Sequence, residues 1–135
     1  CIYGGGLFKG LTLRWKTQIN ENSKSICLND YIPEFFHNAI ESVQKYELFN
    51  PNLFIVVIEP YENPEWLQKR YSTLHKILTD YGLSHNLIKS QFKSKMEQIM
   101  CMMNLSDYTS YYLGILKNVD PSSTEVIDST KKIMS

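Results

Sequence analysis

The sequence predicts a three-layer α/β/α domain built on a mainly parallel sheet of about four to five strands. Short apolar, β-prone runs alternate with longer stretches whose apolar residues recur every three or four positions. The clearest run, Leu53 to Ile58, is continuously apolar and β-branched, as expected of a strand covered on both faces. Glycine and proline mark most of the changes from one period to the other. At 135 residues and 15.8 kDa the chain is the size of one domain, and 43% hydrophobic residues can supply its core.

In order, Cys1-Ile2-Tyr3 reads as a short strand followed by the Gly4-Gly5-Gly6 loop. Phe8, Leu11, Trp15 and Ile19 then mark a helix. Lys24 to Leu28 predicts a second, short strand. Pro33 suits the first position of a helix whose apolar stripe is Phe36, Ala39, Ile40 and Val43. Asn50-Pro51-Asn52 is a turn, and Leu53 to Glu59 is the third strand. Pro64 opens a helix reaching Tyr81 and ended by Gly82, and Leu83 to Ser90 is a weaker strand. A long helix from about Lys93 to Lys117 follows, and Asp120-Pro121 separates it from a last helix over Ser122 to Met134. In such sheets ligands bind outside the carboxyl ends of the strands, which points to the loops after Tyr3 and Leu28.

Composition excludes several classes. Fourteen basic and fourteen acidic residues leave no net charge, and so no electrostatic footprint for general nucleic-acid binding. The longest apolar run is far short of the roughly twenty residues that span a membrane. Cys1, Cys27 and Cys101 are odd in number and form no CxxC, so neither a disulfide framework nor a cysteine-rich zinc site is expected. A reducing cytoplasm is the expected setting. Because Cys1 already reads as part of a strand, the sequence is expected to be a piece of a longer protein.

Four features could bear chemistry. The glycine loop could bring backbone amides to an anion at a helix N-terminus, but it matches no phosphate-loop motif, and a tight turn without a ligand remains open. Glu21 lies where the first helix runs out, between Asn20 and Asn22. Held by those amides and partly shielded from water, it could act as a general base on a carbon acid; a solvated helix end is the alternative. His37 lies roughly 110° from the centre of its helix's apolar stripe at about 100° per residue. It therefore faces solvent or a partner chain beside Glu41 and Gln44. The spacing of His37, His75 and His85 lends no support to zinc. In the last helix Val126, Ile127, Thr130, Ile133 and Met134 form the apolar stripe. Thr124 and Lys131 share a face two turns apart, as a pocket edge for an anionic or polyhydroxyl ligand or as a solvated flank. Tyr108, Tyr111 and Tyr112 read as core or interface.

Several stretches resemble the second half of the bifunctional phosphoglucose/phosphomannose isomerases, members of the phosphoglucose isomerase superfamily built from sugar isomerase (SIS) domains. They are Ile2-Tyr3-Gly4, the block Arg14-Trp15-Lys16-Thr17-Gln18-Ile19-Asn20-Glu21-Asn22-Ser23-Lys24, Pro33-Glu34 with His37-Asn38, Asp107-Tyr108 with Ser110-Tyr111-Tyr112-Leu113, and Val119-Asp120-Pro121. The sequence departs from that pattern at Gly5 and at Ala39, where the family usually has serine and glutamate, and from Gln68 to Met103 it agrees only in pattern. The resemblance implies a SIS-like (flavodoxin-like) domain, the C-terminal half of a two-SIS-domain enzyme. It also implies interconversion of glucose-6-phosphate or mannose-6-phosphate with fructose-6-phosphate through a cis-enediol(ate), without metal or organic cofactor. Glu21 then matches the general base, and His37 a ring-opening histidine delivered from the neighbouring subunit of a homodimer. Lys131 matches a second ring-opening group, Thr124 a residue associated with accepting both epimers, and Arg14 could offset enediolate charge. The family's phosphate-binding Ser/Thr loop has no counterpart here and belongs to the N-terminal SIS domain, so the chain alone is expected to have little or no activity. The alternative is a catalytically silent SIS module that binds a sugar phosphate for regulation. A flavodoxin-like signalling domain would need clustered acidic residues at strand ends, where only Glu59 stands.

Overall fold

The computed structural model describes residues 1–45 and 53–135. Four parallel strands, β1 (Ile2–Gly5), β2 (Asn29–Ile32), β3 (Ile55–Glu59) and β4 (His85–Lys89), form one sheet in the order β2-β1-β3-β4. The main helices are α1 (Lys9–Ser23), α2 (Glu65–Asp80), α3 (Lys95–Leu116) and α4 (Glu125–Met134). The three-layer α/β/α expectation holds. The turn expected at Asn50-Pro51-Asn52 lies outside the described residues.

Alternation along the strands builds the layers, because successive side chains point to opposite faces. Tyr3, Ile55 and Val57 join Phe35, Val43 and the α2 residues Leu67, Tyr71, Leu74 and Leu78 in one buried cluster. Ile2 and Ile58 face the other way, onto Phe8, Leu11, Trp15 and Ile19 of the first helical segment and Met102 of α3. Between α1 and α3 the packing is close. Ser106, Ser110 and Gly114 recur every fourth residue along α3, are all buried, and offer little side-chain bulk. Trp15 is only 1% exposed, and its indole N–H donates to the Met102 carbonyl at 3.0 Å. Arg14 forks onto Asp107 at 2.8 and 3.0 Å, and Asn22 donates to Ser110 Oγ at 2.8 Å. A Cβ on Gly114 would stand 2.7 Å from the Asn22 carbonyl oxygen, so glycine permits the carboxyl end of α1 to lie against α3.

Two elements depart from the sequence reading. The second strand begins at Asn29, not Lys24. Lys24 leaves α1 with a left-handed backbone (φ 51°), and the chain after it is a loop in which Ile26 is 96% exposed. Pairing with β1 starts only where the Leu28 carbonyl accepts from Ile2 N–H at 2.9 Å. The helix expected after Pro33 is instead a series of 3-10 turns, Glu34–Phe36 and Ala39–Lys45. Of the expected stripe Val43 is buried, while Phe36, Ala39 and Ile40 are partly covered against the same cluster; Phe35, outside the stripe, is the second buried anchor. Ser42 and Gln44 hydrogen-bond the carbonyls three residues back, local bonds that compete with a regular α-helical ladder.

Candidate functional site

Because β1 and β2 pair in parallel, the α1 that connects them runs antiparallel to the strands. Its last turn, with Glu21, therefore stands at the amino end of β2. A cleft of about 620 Å³ opens there. One wall is the end of α1 and the loop leading to β2, with Lys16, Asn20, Glu21, Lys24 and Ile26. The other is the start of α4, with Ser123, Thr124, Val126 and Ile127. The sequence reading looked to the carboxyl ends, because it took Leu28 as the end of a strand, whereas Leu28 precedes β2. At the carboxyl ends Gly4 and Gly5 of the expected loop belong instead to β1. Gly5 N–H donates to the buried Tyr71 hydroxyl at 2.7 Å, and that hydroxyl also bonds the Ile58 carbonyl at 3.1 Å. Burial pushes the Tyr71 phenol well above its ordinary pKa, so it stays a neutral hydroxyl in the fold. Buried Glu59 beside it is paired with Lys89 at 2.8 Å. That Gly5 amide is thus committed within the protein.

Glu21 and Thr124 line the same cleft. Glu21 is exposed rather than shielded, and neither neighbouring amide holds it. Asn20 Oδ1 accepts from Cys27 N–H at 2.8 Å, fixing the loop beneath it, and Asn22 is spent on Ser110 and Gln18. Among the described residues the Glu21 carboxylate makes no hydrogen bond, which leaves it free as a base or an acceptor. The two walls are strapped by Lys24, whose ammonium donates to the Glu21 carbonyl at 2.6 Å and the Ser123 carbonyl at 2.7 Å. Lys117 donates to Ser25 Oγ at 2.8 Å alongside. Sequence reasoning expected Asn20 to hold the Glu21 carboxylate rather than the loop, and it did not single out Lys24, although both sit in the polar block around Glu21. Cys27 lies at the base of the cleft, and burial raises its thiol pKa, so it is no ready nucleophile.

The other expected site residues lie apart. Lys131 is exposed and outside the cleft lining, although it shares α4 with Thr124. None of the α4 residues is buried, so the apolar stripe from Val126 to Met134 finds no cover. Arg14 also lies outside the lining and is engaged by Asp107. Tyr108, Tyr111 and Tyr112 are all exposed and do not enter the core. His37 is exposed and follows β2 at its carboxyl end. Four strand residues, about 13 Å at 3.3 Å each, separate that end from the amino end where Glu21 stands. Within one chain the two groups are therefore at opposite edges of the sheet. No cluster of three or more metal-ligating side chains occurs among the described residues, and none of their helices is long and apolar enough to cross a membrane.

A family model described as the bacterial phospho-glucose isomerase C-terminal SIS domain matches residues 1–134. Among curated relatives, the bifunctional phosphoglucose/phosphomannose isomerase of Thermoplasma acidophilum is 29% identical over 134 residues, 99% of this chain and 41% of the relative. The protein of that name from Aquifex aeolicus is 28% identical over 131 residues, 97% of this chain and 41% of its own length. That of Caldicellulosiruptor bescii is 29% identical over 131 residues, 96% of this chain and 39% of its own length. The chain thus spans about two fifths of the relatives it matches.

Proposed function

Since the chain belongs to the bacterial phospho-glucose isomerase C-terminal SIS domain family, we propose that it is the C-terminal SIS domain of a longer aldose–ketose isomerase. Its substrates are glucose-6-phosphate and mannose-6-phosphate, each interconverted with fructose-6-phosphate. The observation that carries the reading is Glu21, a carboxylate without a hydrogen-bond partner among the described residues, on the wall of the cleft it shares with Thr124.

In this reading Glu21 removes the C2 proton of the opened aldose, leaving a cis-enediol(ate), and returns the proton at C1 to give the ketose. The two aldoses differ only at C2 and converge on the same enediol once the C2–C3 bond rotates, so one base serves both. Thr124 contacts the sugar hydroxyls. Lys131 assists ring opening from α4, and His37 does so from a second copy of the chain. The separation of His37 and Glu21 within one chain supports that division of labour. Arg14 is left out of the reacting set because its guanidinium is held by Asp107. With the Gly5 amide engaged by Tyr71, the phosphate group falls to an N-terminal SIS domain. The chain alone is then a folded half-enzyme with little or no turnover.

The test is Glu21→Gln in the two-domain protein, with glucose-6-phosphate formation followed from fructose-6-phosphate. A fall in kcat on the order of 10²–10⁴, with KM nearly unchanged, is expected for a lost general base. Unchanged kcat overturns the assignment and favours a module that binds a sugar phosphate without turning it over. Mixing Glu21→Gln with His37→Asn protein adds a second arm. If His37 acts across the interface, each mixed dimer regains one intact site and activity returns, whereas no return shows that His37 does not act across the interface.

A further inference from the structure

We propose that His75 and His85 form a surface site for a borderline divalent transition-metal ion, held between α2 and the edge strand β4. His75 stands on the exposed side of α2, next to buried Leu74. Beyond the helix Gly82, at φ +66°, turns the chain, and Leu83 N–H closes on the Leu78 carbonyl at 2.9 Å. This fold-back lays β4 beside α2 and sets His85, its first residue, against His75. His85 Nε2 and His75 Nδ1 are 3.0 Å apart. The ring planes meet at 66° with centroids 5.0 Å apart, so the rings approach through their nitrogens and do not stack.

Proton accounting gives the pair its chemistry. His85 Nδ1 lies 2.8 Å from the Leu83 carbonyl, which can only accept, so Nδ1 carries a proton. A neutral His85 therefore presents Nε2 as a lone pair, and His75 Nδ1–H donates to it. If His75 instead carries its proton on Nε2, both facing nitrogens, 3.0 Å apart, are lone-pair donors open to a shared ion. Metal-ligating histidines are oriented in this way, with the far ring N–H on a backbone carbonyl. Paired imidazoles suit zinc, nickel or copper, whereas magnesium and calcium prefer oxygen ligands. Asp80, the carboxylate at the end of the same helix, is engaged by Lys76 at 2.6 Å. No third side chain joins the pair among the described residues, so water completes the shell and the ion exchanges readily. The two histidines are ten positions apart on different elements, which is why sequence spacing gave no hint of them.

The experiment is calorimetric titration of the chain with nickel chloride, in a Cys1→Ser/Cys101→Ser background that removes the two accessible thiols. One ion per chain is expected, with no response to magnesium chloride. His75→Gln and His85→Asn should each weaken binding by at least about tenfold, and His37→Asn should leave it unchanged. His75 is exposed on a helix, so its variant decides the matter even where His85→Asn folds poorly. Binding as tight in His75→Gln as in the parent, or lost in His37→Asn alone, overturns the proposal.

Discussion

Along α1, Leu11, Trp15 and Ile19 are sunk into the core, whereas along α4 no side chain is buried, yet the two helices form opposite walls of one cleft. The Glu21 wall inherits its position from the sheet and from α3 through Trp15, Ser110 and Gly114. The Thr124 wall is placed by the Lys24 strap and by the chain turning out of α3. Its Val126 and Ile133 are 80% and 85% exposed. An amphipathic helix ordinarily buries its apolar stripe, so α4 is the wall that depends on something covering it. The contrast separates residues that fix the base from residues that complete the cleft.

The largest expected effect tests that contrast directly. Trp15→Ala removes a buried indole together with its hydrogen bond to the Met102 carbonyl, which should cost about 3–5 kcal/mol. Ile127→Ala, on α4, should stay within about 0.5 kcal/mol. Urea unfolding of the two variants side by side measures both. A comparable loss in Ile127→Ala would show that α4 contributes to the fold as much as α1 does.

A second pair of substitutions sharpens the picture at the contact itself. Alanine at Gly114 must displace the Asn22 carbonyl, and overpacking of this kind costs about 1–3 kcal/mol. Because Asn22 follows Glu21, turnover of the two-domain protein should fall as well. Gly10, also helical, has no atom near its missing Cβ. Gly10→Ala should stabilise the protein by about 0.5–1 kcal/mol through helix propensity alone. If Gly114→Ala is neutral in urea unfolding and in turnover, the close approach of α1 to α3 does not position the base.

The same contrast explains what the sequence could tell. The strand at Leu53 to Glu59 and the helices opened by Pro64 and Lys93 were legible because they bury a face, and burial writes itself as periodicity. The second strand was misplaced because Ile26 and Leu28 are apolar for a reason other than core packing. They are exposed, and both line the cleft. The α4 stripe was legible as apolar but not as uncovered, since periodicity shows that a face is apolar without showing what meets it. Glu21 and Thr124 line one cleft, whereas Lys131, expected to share a pocket edge with Thr124, does not. The amide network was not legible, because which partner Asn20 or Asn22 takes depends on residues far along the chain, such as Ser110.

A small effect is also expected at Lys24, where the two walls meet. This residue spends backbone strain, at φ 51°, to place an ammonium between two carbonyls. Lys24→Met keeps the stem and the strain but loses both hydrogen bonds. Because the side chain is exposed, the loss should be no more than about 1 kcal/mol. Lys24→Gly loses the same bonds while relieving the left-handed conformation, so it should be the more stable of the two. Both variants should raise amide exchange across α4 equally and leave α1 unchanged, because α1 is held from the core side. The hydrogen-exchange comparison therefore distinguishes a strap from a simple helix cap. A cap would loosen the last turn of α1 in Lys24→Met, whereas a strap loosens only the helix on the far side of the cleft.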